Sequence, residues 1–197
     1  MSKQCGRVGK PQFNKRCLIY GVGVNDYPTS TKVNGVEMKE YRVWKDMLKR
    51  CYSSKYKEKY PSYRDVTCCL DWLYFSKFLQ DVKDMSGAFN EDYHLDKDIL
   101  GDGMIYSPET CCFIPKKLNL SLTDRVLKSS EIGRGVRFKS GSYHARLDGF
   151  HLGRFDNVDD AKQCYKDARN NRTMQIVREY FSFLDVRVLN KLVLGNI

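Results

Sequence analysis

The stretch G-V-R-F-K-S-G-S-Y-H-A-R-L-D-G-F-H-L-G-R-F, residues 135–155, decides the fold of the C-terminal part of the chain. Apolar residues alternate with polar ones along most of it, and the segments K-S-G-S and D-G interrupt the alternation. A period of two is typical of half-buried strands, and short glycine-containing breaks are typical of hairpin turns. The stretch therefore predicts three short strands.

The three predicted strands would have one apolar and one cationic face. Alternation puts on the apolar face, against a helix, Val136, Phe138, Ala145, Leu147, Phe150 and Leu152. It puts on the opposite face Arg137, Lys139, His144, Arg146 and His151. One helix covers one side of such a sheet, so the cationic side is predicted to bind a DNA groove. The alternative is a solvated face with incidental charge.

Two helices are predicted to follow the strands. Asn157, with Asp160 three positions later, approximates a capping box and would begin a helix that runs to about Phe181. The last apolar segment, F-L-D-V-R-V-L-N-K-L-V-L, would form a short helix that packs back on the domain.

Four short sequence motifs in residues 133–170 resemble those of a known family. They are R-G-V-R-F, Y-x-A-x-L, H-L-G-x-F and D-D-A-x-x-x-Y, and they resemble the plant ethylene-response-factor (APETALA-type) DNA-binding domain. Similar modules accompany phage and bacterial homing-type nucleases. The resemblance implies a sheet that lies in the major groove of double-stranded DNA. It implies DNA contacts at Arg134, Arg137, Arg146 and His151, where His151 replaces a tryptophan favoured by the plant domains.

Upstream, the segment from Tyr93 to Cys112 predicts a strand, a turn through G-D-G-M and a second strand, and Ile114-Pro115 would open a helix. On strict alternation His94, Asp96 and Asp98 share one face. One imidazole and two carboxylates suit a hard cation such as Mg²⁺ and the activation of water. The alternatives are a salt-bridged hairpin and a structural histidine.

Two further short motifs belong with these candidate site residues, R-C-Y (50–52) and C-L-D-W (69–72). With Y-H-L-D-K-D-I and Y-S-P-E-T-C they resemble phage HNH-type endonucleases of the His-Me finger class. That resemblance implies a ββα finger holding one divalent cation, with Asp96 and Asn119 as metal ligands and Asp98 as a further candidate. Lys97 occupies the place of the family's histidine base. It would contact phosphate or activate water, and His94 is the substitute base.

The N-terminal region predicts helices after a basic arm. Residues 1–17 read as an arm that tracks a phosphate backbone or, equally, as a frayed terminus. C-L-I-Y-G-V-G-V (17–24) predicts a short strand. Apolar spacing of three and four predicts amphipathic helices from Met38 to Cys51 and from Trp72 to Val82.

The charge distribution favours an anionic partner. The chain has 197 residues and a formal net charge of +10, a surplus for which nucleic acid is the commonest explanation. The surplus is divided into +9 over residues 1–60, −4 over residues 61–132 and +5 over residues 133–197. Basic ends would hold DNA, and the acidic middle contains the candidate metal ligands.

Composition limits the class of protein further. A hydrophobic content of 42% is too high for a wholly disordered chain. There is no apolar run of membrane-span length and no signal-peptide core, which predicts a cytoplasmic protein without a membrane partner. Cys51, Cys69 and Cys111 would be buried free thiols or, less in keeping with their spacing, part of a structural zinc site.

The sequence as a whole predicts an α+β protein in three segments. These are a basic arm (1–17), an HNH-like nuclease module with a helical start and a ββα-metal finger (18–130), and a three-stranded antiparallel sheet plus helix (131–197). The predicted function is Mg²⁺-dependent cleavage or nicking of double-stranded DNA, with no small-molecule substrate. The rivals are an inactive DNA-binding regulator or replication or defence inhibitor, and a phage-encoded inhibitor that binds protein.

Overall fold

The computed structural model of the chain describes residues 18–123 and 132–194. Within them, helices and small sheets occupy different parts of the chain, which confirms the α+β prediction. The chain divides into a first unit that ends at Leu79 and a second that begins at Gln80. The predicted basic arm lies outside the described residues. In the part that is described, no helix is long and apolar enough to cross a membrane.

The first unit is mostly helical. Its elements are β1 (Lys32–Val33), β2 (Val36–Glu37), α1 (Lys39–Tyr52), α2 (Ser54–Lys59) and β3 (Thr67–Cys68), and α3 (Phe75–Val82) begins within it. The strands β1 and β2 pair as a hairpin, and its turn residues Asn34 and Gly35 have φ of 50° and 78°. Positive φ at both turn positions is the requirement of a type I′ hairpin turn, which Asn-Gly satisfies.

The core of the first unit forms on α1, as the spacing predicts. The fully buried residues of this helix are Trp44, Met47, Leu48 and Cys51. The indole Nε1 of Trp44 donates a 2.8 Å hydrogen bond to the carbonyl oxygen of Trp72, and the ring of Trp72 meets Phe78 edge-on. A buried indole N–H needs such a partner, so the two tryptophans fix the packing of this core.

The strand predicted at residues 17–24 is wrong in the described part. Tyr20 and Gly21 have φ of 53° and 79°, and the amide of Ile19 donates to the carbonyl of Gly23 at 2.9 Å. The chain therefore reverses in a tight turn instead of continuing as a strand. Glycine at position 21 permits the positive φ that this reversal needs.

The second unit begins with a hairpin-like pair and a helix. Its first elements are β4 (Tyr93–Asp96), β5 (Ile105–Tyr106), β6 (Cys112–Pro115) and α4 (Lys116–Leu122). The strands β4 and β6 are antiparallel, with Asp96 opposite Cys112 and Tyr93 opposite Pro115. Pro115 is the N-cap of α4, so the helix follows the second paired strand directly. The order along the chain is β4, β5, β6 and α4, and α4 contacts both strands of the β4–β6 pair.

The second unit continues with the predicted three-stranded sheet. Its strands are β7 (Val136–Lys139), β8 (Ser142–Leu147) and β9 (Phe150–Phe155), antiparallel in the order β7-β8-β9. The helix α5 (Val158–Glu179) follows, and the side chain of its N-cap Asn157 accepts the amide of Asp159 at 2.9 Å. Ala161 of α5 is buried against Val136 and Ala145 of the sheet.

The second half of α5 has a different neighbour. Ile176 and Val177 form one core with Cys112, Ile114 and Leu118 of the ββα part, together with α6 (Val186–Leu194). The sequence predicted a boundary between its second and third segments near residue 130, whereas the structural units divide at residue 79. This shared core is the reason that residues 80–197 form one unit.

Arg187, at the start of α6, connects that helix to the turn before β6. Its guanidinium donates to the carbonyl oxygens of Pro108 at 3.0 Å and Cys111 at 3.2 Å. The Asp185 carboxylate accepts further bonds from Nε and Nη2 of the same guanidinium, the shortest of them 2.7 Å long. A planar guanidinium with five donors is the side chain that can serve carboxylate and carbonyls together.

Candidate DNA-binding face and ββα site

The register of the three-stranded sheet places the predicted cations on one face. The cross-strand pairs are Arg137 with His144, Lys139 with Ser142, and Arg146 with His151. Paired residues project to the same side of a sheet, so the five side chains predicted from alternation share the face turned away from α5. Arg137, Lys139, Arg146 and His151 are exposed and His144 is half-buried.

A β-bulge adds a cation that alternation assigns to the other face. The register shifts between Ala145 and Arg146, and Arg154 of β9 lies opposite His144. Arg154 therefore joins the cationic face, although strict alternation from Leu152 puts it on the apolar one. The signal for this shift was Gly153, because a glycine inside a strand often marks a bulge.

The two imidazoles of this face lie in one polar chain that crosses all three strands. His144 Nδ1 and His151 Nε2 are 3.3 Å apart. The Oγ of Ser142 lies 3.2 Å from His144 Nε2 and donates to the carbonyl oxygen of Lys139 at 3.3 Å. The Lys139–Ser142 and His144–His151 links join neighbouring strands, and the Ser142–His144 link lies within β8, so the chain of contacts fixes the position of both imidazoles.

Two of the predicted DNA-binding arginines also have structural partners. Arg146 Nη2 donates to Gly149 O in the β8–β9 turn at 2.8 Å. Arg134 precedes β7 and donates from Nη1 to Thr123 O at 2.6 Å. Arg134 is half-buried and connects the start of the sheet to the end of α4, so it belongs to the edge of the face and not to a strand.

The apolar face is covered only in its middle. Val136 and Ala145 are buried, while Phe138 is 56% and Phe150 is 75% exposed. Phe138 contacts the ring of Tyr143 at a centroid distance of 4.9 Å. The expectation that all six apolar residues pack on the helix is therefore wrong for Phe138 and Phe150.

Asp96 is a buried carboxylate at the end of β4. Its Oδ1 accepts the amides of Asp98 at 2.9 Å and Ile99 at 3.0 Å, and the residue is 7% exposed. Burial raises the pKa of Asp96 above its ordinary value, and the two backbone donors oppose that rise. Both donors use Oδ1, so the carboxylate is oriented by the turn that follows the strand.

Lys97 and Asp98 lie in that turn and form an ion pair. Lys97 Nζ is 2.6 Å from Asp98 Oδ1 and 5.8 Å from the centroid of the Tyr106 ring. The lysine side chain is 6% exposed and that of Asp98 is 62% exposed. The strand ends at Asp96, so its alternation does not extend to Asp98. Lys97 therefore presents a buried, paired ammonium at the position for which the HNH resemblance implies a base.

His94 lies on the same strand as Asp96, and Asn119 lies on the helix α4. His94 is exposed on β4 and pairs with Ile114 of β6. Asn119 is half-buried on α4, and its Oδ1 accepts a 3.4 Å hydrogen bond from Thr123 Oγ1. The ββα order thus brings the strand of Asp96 and the helix of Asn119 into contact.

The donor set near Asp96 is small. Among the described residues no three His, Cys, Asp or Glu side chains are grouped as metal ligands. Magnesium commonly takes only one or two protein carboxylates and completes its shell with water and phosphate oxygens. Asp96, with Asn119 as a neutral oxygen donor, fits that smaller requirement. No family model, curated protein or solved structure matches this chain.

The cysteines named for a zinc site have other surroundings. Cys51 is fully buried and forms a hydrogen bond with the Cys68 thiol, which raises the pKa of Cys51 and lowers that of Cys68. Cys69 is half-buried, and burial raises the pKa of Cys111 to about 12. None of the three is in a disulfide, and Cys51 and Cys111 are buried whereas Cys69 is not.

Proposed function

We propose that this protein binds double-stranded DNA through the open face of its three-stranded sheet. The observation that carries the proposal is the register of β7, β8 and β9, which lines up cations from all three strands opposite α5. The residues are Arg137, Lys139, His144, Arg146, His151 and Arg154. No carboxylate lies among them, so the face presents one sign of charge and many donors to phosphates and base edges.

Arginine is well suited to this surface. A guanidinium can bond guanine or phosphate with two parallel N–H donors, which gives both position and specificity. Arg137 and Arg154 flank His144 on opposite strands. The two arginines are therefore held on either side of His144, at the spacing of neighbouring strands.

Fluorescence anisotropy with a labelled DNA duplex tests this proposal. Arg137→Ala and Arg154→Ala should each weaken binding and reduce the salt slope of log K by about 1. Arg178→Ala, an exposed arginine of α5, is the matched control and should leave both quantities unchanged. Equal losses in all three variants would refute the sheet face as the binding surface.

We propose as a second function the metal-dependent hydrolysis of DNA at the ββα site. The supporting observation is the buried carboxylate of Asp96 at the end of the first strand of a strand-strand-helix unit. Bound Mg²⁺ would stabilise charge on a phosphate. Asp96 and Asn119 would hold it, with Asp98 at the exposed edge, His94 would accept a proton from water, and Lys97 would supply positive charge.

Incubation of supercoiled plasmid with the protein, in Mg²⁺ or in EDTA, tests this second function. Nicking is expected in Mg²⁺ alone and should be lost in Asp96→Ala. Asp92→Ala removes an exposed carboxylate just before β4 and should leave nicking intact. Duplex binding without nicking in any divalent cation would favour the inactive DNA-binding regulator, to which the paired ammonium of Lys97 points. If the protein is instead an inhibitor that binds protein, no DNA binding is expected at about 100 mM salt.

A further inference from the structure

Three tyrosines form a compact aromatic group in the first unit. Tyr56 of α2 contacts Tyr60 at a ring-centroid distance of 4.6 Å and Tyr63 at 5.4 Å. We call Tyr56, Tyr60 and Tyr63 the tyrosine cluster. Tyr56 and Tyr63 are half-buried, and Tyr60 is 41% exposed. The cluster thus supports an aromatic ring that solvent can reach.

Ammonium groups surround this cluster. Lys59 Nζ lies 5.4 Å from the centroid of the Tyr60 ring, and Lys49 Nζ lies 5.8 Å from that of Tyr56. Lys55 and Arg64 are exposed on the same segment. Between residues 49 and 64 the chain has six basic residues and a single acidic one, Glu58. The surface near Tyr60 is therefore strongly cationic.

One lysine of the segment has a purely structural role. Lys57 Nζ donates to the carbonyl oxygens of Arg64 at 2.8 Å and Val66 at 3.3 Å. These bonds hold the segment after Pro61 against α2, so the position of Tyr60 relative to its neighbours is fixed by the fold. The ring of Tyr60 is thus preorganised and loses little conformational freedom on binding.

We propose that the tyrosine cluster and its lysines bind an unpaired nucleic-acid strand. A base would stack on the exposed part of the Tyr60 ring in place of the Lys59 ammonium, and Lys55 and Lys59 would contact the adjoining phosphates. Aromatic rings beside a cationic track are the means by which proteins bind single strands without sequence preference. The surface belongs to the first unit, whereas the sheet proposed for duplex binding belongs to the second, so the inference goes beyond that function.

An unpaired strand suits this surface better than a duplex or an acidic peptide. In a duplex the base faces are already stacked, and exposing one requires that its pairing and stacking be broken. An acidic peptide would use the lysines but would leave the ring of Tyr60 without a planar partner. An unpaired strand offers both a base that can stack on the ring and phosphates that can pair with the ammonium groups.

Anisotropy with a labelled oligothymidylate of about 20 nucleotides, and with the matching oligouridylate, tests the proposal. Tyr60→Ala should weaken binding at least about fivefold on the strand that the surface prefers. Tyr74→Ala is the matched control, since Tyr74 is 45% exposed in the same unit, and it should have no effect. Equal affinity of both variants and the unaltered protein for both strands would overturn the proposal.

A probe of the same length without bases separates stacking from charge. On this abasic strand Tyr60→Ala should bind as well as the unaltered protein. The double variant Lys55→Gln, Lys59→Gln should bind both probes more weakly than the unaltered protein does. The control Lys77→Gln, which changes another exposed lysine, should bind both probes as well as the unaltered protein. If Tyr60→Ala loses the same factor on both probes, no base stacks on Tyr60 and the proposal fails.

The same variants distinguish this surface from the sheet and from misfolding. Arg137→Ala should keep single-strand affinity while it loses duplex affinity. Circular dichroism should show unchanged helix content in the lysine double variant, because both side chains are exposed. Loss of single-strand binding in Arg137→Ala, with Tyr60→Ala unaffected, would assign the strand to the sheet and overturn the inference.

Discussion

Asp96 is the residue at which stability and the proposed function conflict. A carboxylate that is buried costs free energy when it is ionised, and burial raises the pKa of Asp96. The backbone amides of Asp98 and Ile99 stabilise the oxygen that they bond. Such a group is retained in a fold when its charge serves a purpose, and perturbed carboxyls are concentrated at functional sites.

Asp96→Asn is expected to raise the free energy of unfolding at neutral pH, on the order of 1 kcal/mol. The asparagine oxygen can accept the same two amides without the cost of burying a charge. The same variant should lose metal-dependent nicking. Urea unfolding and the plasmid assay measure the two effects, and a destabilised Asp96→Asn would show that the ionised carboxylate serves the fold.

The role of Lys97 could not be decided from its residue type and position in the sequence. The sequence identified it as the occupant of the base position, and left both phosphate contact and water activation as its role. The structure pairs its ammonium with Asp98 at 2.6 Å, a partner one residue away that alternation had assigned to the metal face. A salt-bridged hairpin was one of the alternatives for Asp98, but its partner was not predictable, because side-chain pairing in a turn depends on backbone geometry that a sequence pattern does not specify.

At the scale of elements, the period of the sequence predicted the regular parts well. Alternation gave the three strands, and spacing of three and four gave α1 and its buried face with Trp44 and Met47. Errors occurred where a local irregularity interrupts the period. The bulge before Arg146 moved Arg154 to the other face, and the positive φ at Tyr20 and Gly21 turned a predicted strand into a reversal.

The attachment of α6 provides a test at this scale. Arg187→Ala should lower the free energy of unfolding by about 1–2 kcal/mol, because it removes charge-assisted bonds from Asp185 and from the carbonyls before β6. Arg187→Lys should recover only part of the loss, since an ammonium cannot reproduce the fork of the guanidinium. Full recovery by lysine in urea unfolding would show that charge alone holds α6.

At the scale of the whole molecule, the division at residue 79 differs from the proposed modular order. Ile176 and Val177 are distant in sequence from Cys112 and Ile114, yet they share one core. The sequence had placed the boundary between its second and third segments at residues 130 and 131. Long-range packing of this kind leaves no periodic signal, which is why the extent of the second unit was not predictable.

The stability of the second unit should depend on pH through Asp185. The hydrogen bond from Arg187 lowers the pKa of Asp185 below its ordinary value. A carboxyl with a lowered folded-state pKa contributes stability above its unfolded value of about 3.9, and that contribution is lost as pH falls through the folded value. The stability difference between the unaltered protein and Arg187→Ala should therefore be full at neutral pH and shrink below about pH 4.

Urea unfolding at a series of pH values measures this dependence. The net charge of +10 also destabilises the folded state in acid, but it changes by only one unit in Arg187→Ala. Comparison of the two proteins at each pH therefore isolates Asp185. A difference that stays constant from neutral pH to about pH 3 would contradict the assignment.

The helix α5 belongs to two cores at once, with Ala161 in that of the sheet and Ile176 in that of the ββα part. At about 1.5 Å per residue these positions are about 22 Å apart along one continuous helix, the rise of about six or seven base pairs. The helix would hold the sheet and the ββα part at a fixed distance from each other. Under the two proposed functions, a cut at Asp96 would fall at a constant offset from the base pairs that the sheet would bind, with little of the scatter that a flexible tether allows.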